Sequence, residues 1–144
     1  MILSLLLSTL LLAVSEPAEK GTLQLEIANI RDTRGMIRVG LFHREEHFPD
    51  PDKVYWGKGV PPQKGTVRME IPGLPYGDYA LAIYHDLNNN GRLDKNIWGI
   101  PTEPYGFSGN VKAKWSSPSF REAAFPFSSD AQMLQISLLN WEEW

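Results

Sequence analysis

Apolar residues alternate with polar ones in several short runs of this chain, and no stretch of a dozen residues carries helical spacing. Leu23, Leu25 and Ile27 are interleaved with Thr22, Gln24 and Glu26, the period of a strand with one buried face. The same period returns at Ile37, Val39 and Leu41, at Val67, Met69 and Ile71, and at Leu134, Ile136 and Leu138. Tyr79, Leu81 and Ile83 have Ala80, Ala82 and Tyr84 between them, so this run is apolar on both faces and is expected to be central. Eleven prolines and twelve glycines punctuate the chain. The pattern predicts an all-β fold, an antiparallel Greek-key β-sandwich of about seven strands. Arg31 to Gly35 is polar, ends in Gly and suits a hairpin between the first two strands.

Residues Met1 to Val14 form an apolar run broken only by Ser and Thr. It falls short of the roughly 20 residues a membrane span needs, and it suits the apolar core of a secretory signal. Ala13-Val14-Ser15 supplies the small-x-small cleavage pattern, although no Lys or Arg precedes the run. The expected layout is a signal peptide at 1–15, a linker at 16–20, one sandwich domain at 21–140 and a tail at 141–144. The product would be exported, periplasmic or secreted, with no transmembrane segment after cleavage. There is no cysteine, which excludes disulfides, thiolate metal sites and a lipidated cysteine. The net charge is −3 with scattered basic residues, so the chain lacks the electrostatic footprint of a nucleic-acid binder. Expected partners are a cell-envelope protein or a glycan.

Two long connections, Phe48 to Lys64 and Asn88 to Ser119, do not read as strands, and function is expected there rather than on the strands. The second opens on the sharpest chemical pattern in the chain. Asp86, Asn88, Asn90 and Asp94 fall at positions 1, 3, 5 and 9 of a loop with Gly91 at position 6. Alternate residues of such a loop can turn their oxygens inward together, Gly91 permits the turn, and Arg92 at position 7 offers its carbonyl. Position 12 is Ile97 in place of a bidentate Glu, and only Asp86 and Asp94 carry charge. The pattern therefore predicts a weak structural calcium site, with affinity of about 10⁻⁴ to 10⁻³ M, that Glu103 could complete. Asn88 to Gly91 would equally satisfy the chemistry of a plain turn.

The stretch LPYGDYALAIYHDLNNNGRLDKNIWGIPTEPYGFSGN, Leu74 to Asn110, resembles the signature of the bacterial domain-of-unknown-function family 2141. The segments GMIRVGLF, FPDPD and AAFPF fit as well, and the resemblance spans Gly21 to Leu139. It implies an exported bacterial β-sandwich, and it brings no activity, substrate or catalytic residue. The corner LPYGDY also resembles immunoglobulin-like and transthyretin-like sandwiches and carboxypeptidase-regulatory domains, which are commonly accessory modules. Tyr79 just after that corner suits a phenol bonded back to the backbone at a strand entry.

Trp98, Tyr105 and Phe107 follow the acidic loop in a Pro-rich segment. They would serve either as a rigid aromatic surface for a sugar or peptide, or as rings plugging the end of the sandwich. His43-Arg44-Glu45-Glu46-His47 matches a zinc-peptidase pattern, but it follows a strand directly and runs into Phe48-Pro49, leaving no room for the required helix. His85 and Asp86 are neighbours on one strand and point to opposite faces. No catalytic residue is assigned. The sequence thus predicts a non-enzymatic accessory module, with calcium in the loop as its one expected cofactor.

Overall fold

The computed structural model describes residues 19–144. The expected signal peptide at 1–15 and the start of the linker lie outside those residues. The strands are β1 (Lys20–Ile30), β2 (Met36–Phe42), β3 (Trp56–Val60), β4 (Gly65–Pro75), β5 (Gly77–Asp86), β6 (Tyr105–Phe107), β7 (Phe125–Phe127) and β8 (Ala131–Ser137). One short helix, α1 (Phe120–Ala123), precedes β7. Among the described residues no helix is long and apolar enough to cross a membrane.

Two sheets face each other. One has the order β4-β1-β8 and the other β3-β2-β5-β6, with β7 also paired to β5. Every pairing is antiparallel except β1 with β8, which run parallel with Leu25 opposite Leu134. Eight strands therefore build the all-β sandwich. Three of them were not legible as strands. β3 contains two glycines and no apolar alternation, while β6 and β7 are three residues each, too short for a period to register.

The inner faces are the ones the alternation marks. Leu23, Leu25 and Ile27 of β1, and Val67 and Ile71 of β4, pack against Ile37, Val39 and Leu41 of β2 and Leu81 and Ile83 of β5. Full burial of each such aliphatic side chain is worth about 1.5–3 kcal/mol relative to exposure. β5 lies between β2 and β6 and is buried on both faces, as its sequence predicts. Its second face carries an extra layer: Ala80, Tyr105 and Phe107 pack under Phe48, Phe120, Trp141 and Trp144. The tail is held there, with Trp141 Nε1 donating to the Lys114 carbonyl at 2.7 Å and Trp144 stacked on Tyr105 at 5.5 Å.

The expected hairpin at Arg31 to Gly35 does not form. β1 and β2 belong to different sheets, so this connection crosses the sandwich. Gly35 has φ 68°, and a Cβ there would lie 1.9 Å from the Asp86 carbonyl oxygen. The glycine is read correctly as a turn residue, but the turn passes from one sheet to the other. At the opposite crossing, from β4 to β5, the Tyr79 hydroxyl donates to the Pro75 carbonyl at 2.8 Å. This is the bonded corner expected from LPYGDY.

Candidate functional site

β5 ends on His85 and Asp86, and the pleat sends them to opposite faces. His85 is buried on the sandwich side, its Nε2 hydrogen-bonded to the Arg34 carbonyl at 2.7 Å. It borders a small cavity of about 190 Å³ that the ion-paired Arg31 and Glu143 also line. Asp86 is fully buried on the outer side. Its Oδ1 accepts the Asn90 N–H at 2.9 Å, and its Oδ2 accepts the Gly91 N–H at 2.8 Å and the Arg38 Nε–H at 3.1 Å. Arg38 also donates from Nη2 to Asn89 Oδ1 at 2.6 Å.

Glu103 closes the loop from the other end. It is buried, and it accepts the Leu87 N–H on Oε1 at 2.8 Å and the Asp94 N–H on Oε2 at 3.0 Å. Asp94 in turn accepts the amide Nδ2–H groups of Asn88 at 2.6 Å and Asn90 at 2.8 Å. Asn88 Oδ1 accepts the Asn90 N–H at 3.2 Å, and Asn90 Oδ1 accepts the Arg92 N–H at 2.9 Å. Gly91 takes φ 81°, which supports its expected role at the turn.

The predicted ligand residues Asp86, Asn88, Asn90, Arg92 and Asp94 are therefore brought together in one loop. The side-chain oxygens of Asp86, Asn88, Asn90 and Asp94 accept N–H donors of the protein itself. Arg38 places a cation 3.1 Å from the Asp86 carboxylate, where it repels a second one. A calcium ion in this loop would share these acceptors with the N–H groups and would stand beside the Arg38 guanidinium. Asn88 Oδ1 and Asn90 Oδ1 each accept one backbone N–H and keep a second lone pair, while Arg38 is the cation a metal would meet at Asp86. Glu103 does come back to the loop, but to its backbone N–H groups.

The predicted aromatic trio is split. Trp98 is 79% exposed, whereas Tyr105 and Phe107 are buried in the outer layer. The physical reason is β6. Its pairing with β5 sets Tyr105 opposite Tyr84 and Phe107 opposite Ala82, on the face that the Phe120 and Trp144 layer covers. A shared ligand surface of Trp98, Tyr105 and Phe107 is thus replaced by one exposed indole and two core rings. The zinc pattern at His43 and His47 meets a single 3-10 turn, Glu45–His47, with the His43 ring against Tyr55 at 4.3 Å.

Both long connections meet at a feature the sequence did not announce. A groove of about 800 Å³ runs over the outer face of β3, β2 and β5. One wall is Pro49, Pro51 and Val54, from the first connection; the other is Asn90 to Leu93 and Lys95, from the second. The floor is made by Gly40, Gly57, Gly59, Ala82 and Tyr84. Gly40 pairs with Gly57 on one side and with Ala82 on the other, and the room this leaves over the two glycines is taken by Val54 and Phe42. Val54 lies against the two glycines, close enough that a Cβ at Gly40 would meet its Cγ1 at 3.0 Å. The groove's charged side chains include Arg38, Arg92, Lys95 and Asp52, and Lys58 borders it from the edge strand. Tyr84 is fixed by its hydroxyl, which donates to the Gly91 carbonyl at 2.8 Å, and burial pushes its phenol pKa up. The signal that could have revealed this groove is the recurrence of Gly40, Gly57 and Gly59 at outward positions of paired strands.

The family model described as an uncharacterized protein conserved in bacteria (DUF2141) matches residues 25–135. The chain belongs to this family. The DUF2141 match runs from within β1 to within β8 and takes in the Asp86 loop, Glu103 and both walls of the groove. Comparison with curated proteins and with solved structures found no match.

Proposed function

We propose that the chain is an exported, non-enzymatic binding module that holds an extended acidic glycan in the groove over β3, β2 and β5. The observation that carries this is the convergence of both long connections on one groove over the outer face of β3, β2 and β5. Its volume lies in the range of small-molecule and oligomer sites. Arg38, Arg92 and Lys95 outnumber Asp52 along it, which favours an anionic ligand. The groove crosses the face of the sheet, whereas an added β-strand would pair along an edge, so a sugar chain suits the groove better.

Binding is favoured over catalysis by how the buried polar side chains are used. His85, Asp86 and Glu103 all bond to backbone groups, and each fastens a connection. Asp86 and Glu103 brace the loop at the rim of the groove, His85 lies on the opposite face of β5, and none of the three lines the groove. Calcium in this account is at most a weak competitor of Arg38, with Asp94, Asn88 and Asn90 as its remaining partners. Export rests on the apolar run and the small-x-small pattern within segment 1–15.

Titration calorimetry with a uronate-containing oligosaccharide tests the proposal. Wild-type protein is expected to bind it and to release it as salt rises. Lys95→Glu should weaken binding about tenfold, or ~1.4 kcal/mol. Ala82→Leu, which fills the floor, should abolish it without loss of fold. Absence of binding to acidic oligosaccharides, or binding indifferent to both substitutions, would rule the proposal out.

A further inference from the structure

Ile97 and Trp98 are 92% and 79% exposed, and they stand side by side at the tip of a tight turn. The turn is rigid. Asn96 Oδ1 accepts the N–H groups of Trp98 at 2.9 Å and Ile100 at 3.1 Å, and the Asn96 N–H donates to the Ile100 carbonyl at 2.9 Å. The Gly99 N–H returns to the Asn96 carbonyl at 2.9 Å, and Lys95 bridges Pro101 below the tip. Two large apolar side chains are therefore fixed outward at little further cost in conformational freedom.

A second exposed indole follows on the same connection. Trp115 is 82% exposed, standing edge-on to Trp141 at 5.2 Å. Ser117, two residues on from Trp115, borders the same groove as Leu93 and Lys95, which lie on the chain just before Trp98. Each tryptophan has cations beside it in the chain: Arg92 and Lys95 before Trp98, Lys112 and Lys114 before Trp115. Arg92, Lys95 and Lys112 are exposed. Residues 92–115 hold four basic and two acidic side chains in a chain of net charge −3, and both acids, Asp94 and Glu103, are hydrogen-bonded within the loop.

We infer that the 92–115 segment is a membrane-docking face: Trp98, with Ile97, and Trp115 enter the interfacial layer of an anionic phospholipid bilayer, and the flanking cations meet its phosphates. Indole rings favour that layer, and basic side chains add attraction to anionic lipid. The shape argues for a bilayer over a protein pocket. A specific protein interface covers about 800 Å² on each partner. The apolar surface here is confined to two convex tips surrounded by exposed polar residues, and a fluid surface accepts such tips without a matching cavity.

Fluorescence quenching by vesicles with brominated acyl chains decides this. The full chain is compared with a Trp98→Ser, Trp115→Ser double variant and with Lys112→Glu. The apolar residues Met1 to Val14 are common to all, so the difference between proteins isolates the two indoles. Quenching of the wild type should grow with the phosphatidylglycerol content of a phosphatidylethanolamine vesicle. It should fall severalfold in the double variant at an unchanged melting temperature, weaken in Lys112→Glu, and reverse in about 0.5 M salt. Equal quenching of wild type and double variant, quenching indifferent to phosphatidylglycerol, or no quenching at all would overturn the inference. The last result would leave a protein pocket as the occupant of the tip.

Discussion

Asp86 has no exposed surface and three donors on its carboxylate, one of them the Arg38 guanidinium. Removing a partner from such a buried pair is costly because it strands a charge. The same geometry predicts how the loop answers calcium. With Arg38 holding Asp86, melting curves in 10 mM calcium and in chelator should coincide to within about 1 °C, since a Kd above about 50 mM adds only ~0.1 kcal/mol through mass action. A rise of several degrees in calcium would show that the metal displaces Arg38 after all. Glu103 is the second brace. Glu103→Ala leaves the N–H groups of Leu87 and Asp94 without their acceptor and is expected to cost about 2 kcal/mol, read as a lower midpoint in urea unfolding. A variant as stable as wild type would show that Glu103 does not hold the loop. At this scale the sequence was half legible. The spacing of Asp86, Asn90 and Gly91 identified a closed turn because its partners are local. Arg38 stands 48 residues from Asp86 and Glu103 stands 16 from Leu87, and no spacing rule spans such distances.

Strand alternation was legible wherever one face meets the core and the run is long enough to repeat. β1, β2, β4, β5 and β8 satisfy both conditions. β3 fails because its outward positions Gly57 and Gly59 are kept empty for Val54 and for Met36 with Arg38. The Arg31–Gly35 connection was misassigned because a glycine turn looks the same whether it reverses a strand or crosses to the facing sheet. Several short elements depend on ionised carboxylates. Asp32 is held far below its usual range by the Arg34 guanidinium, Asp50 is lowered by the Asp52 N–H, Glu122 by the Ser119 N–H that closes the cap of α1, and Glu143 by the Asn140 N–H at the tail. A depressed pKa contributes stability that is complete above the unfolded value and is lost as pH falls through the folded one. The melting temperature should therefore hold steady from about pH 7 to pH 5 and fall progressively below about pH 4.5. Scanning calorimetry across that range checks it, and a melting temperature that is flat or rising down to about pH 2.5 would contradict it.

At the scale of the molecule, three layers follow from the chain: a three-stranded sheet, a five-stranded sheet, and an outer cover of aromatics from the second long connection and the tail. The cover leaves the β3–β2–β5 side of the outer face open, and that opening is the groove. Its position was foreshadowed by the two long connections, but its floor was hidden because Gly40, Gly57 and Ala82 come together only through strand pairing. If the segment 1–15 is removed on export, mass spectrometry of the purified protein will find a chain beginning at Glu16. Recovery of the product with Met1 intact would count against export by cleavage. The groove itself can be mapped. In an amide NMR titration with an acidic oligosaccharide, the account predicts shifts at Arg38, Gly40, Gly57, Gly59, Ala82, Arg92 and Lys95. Shifts confined to Ile97, Trp98 and Trp115, or no shifts at saturating oligosaccharide, would contradict it.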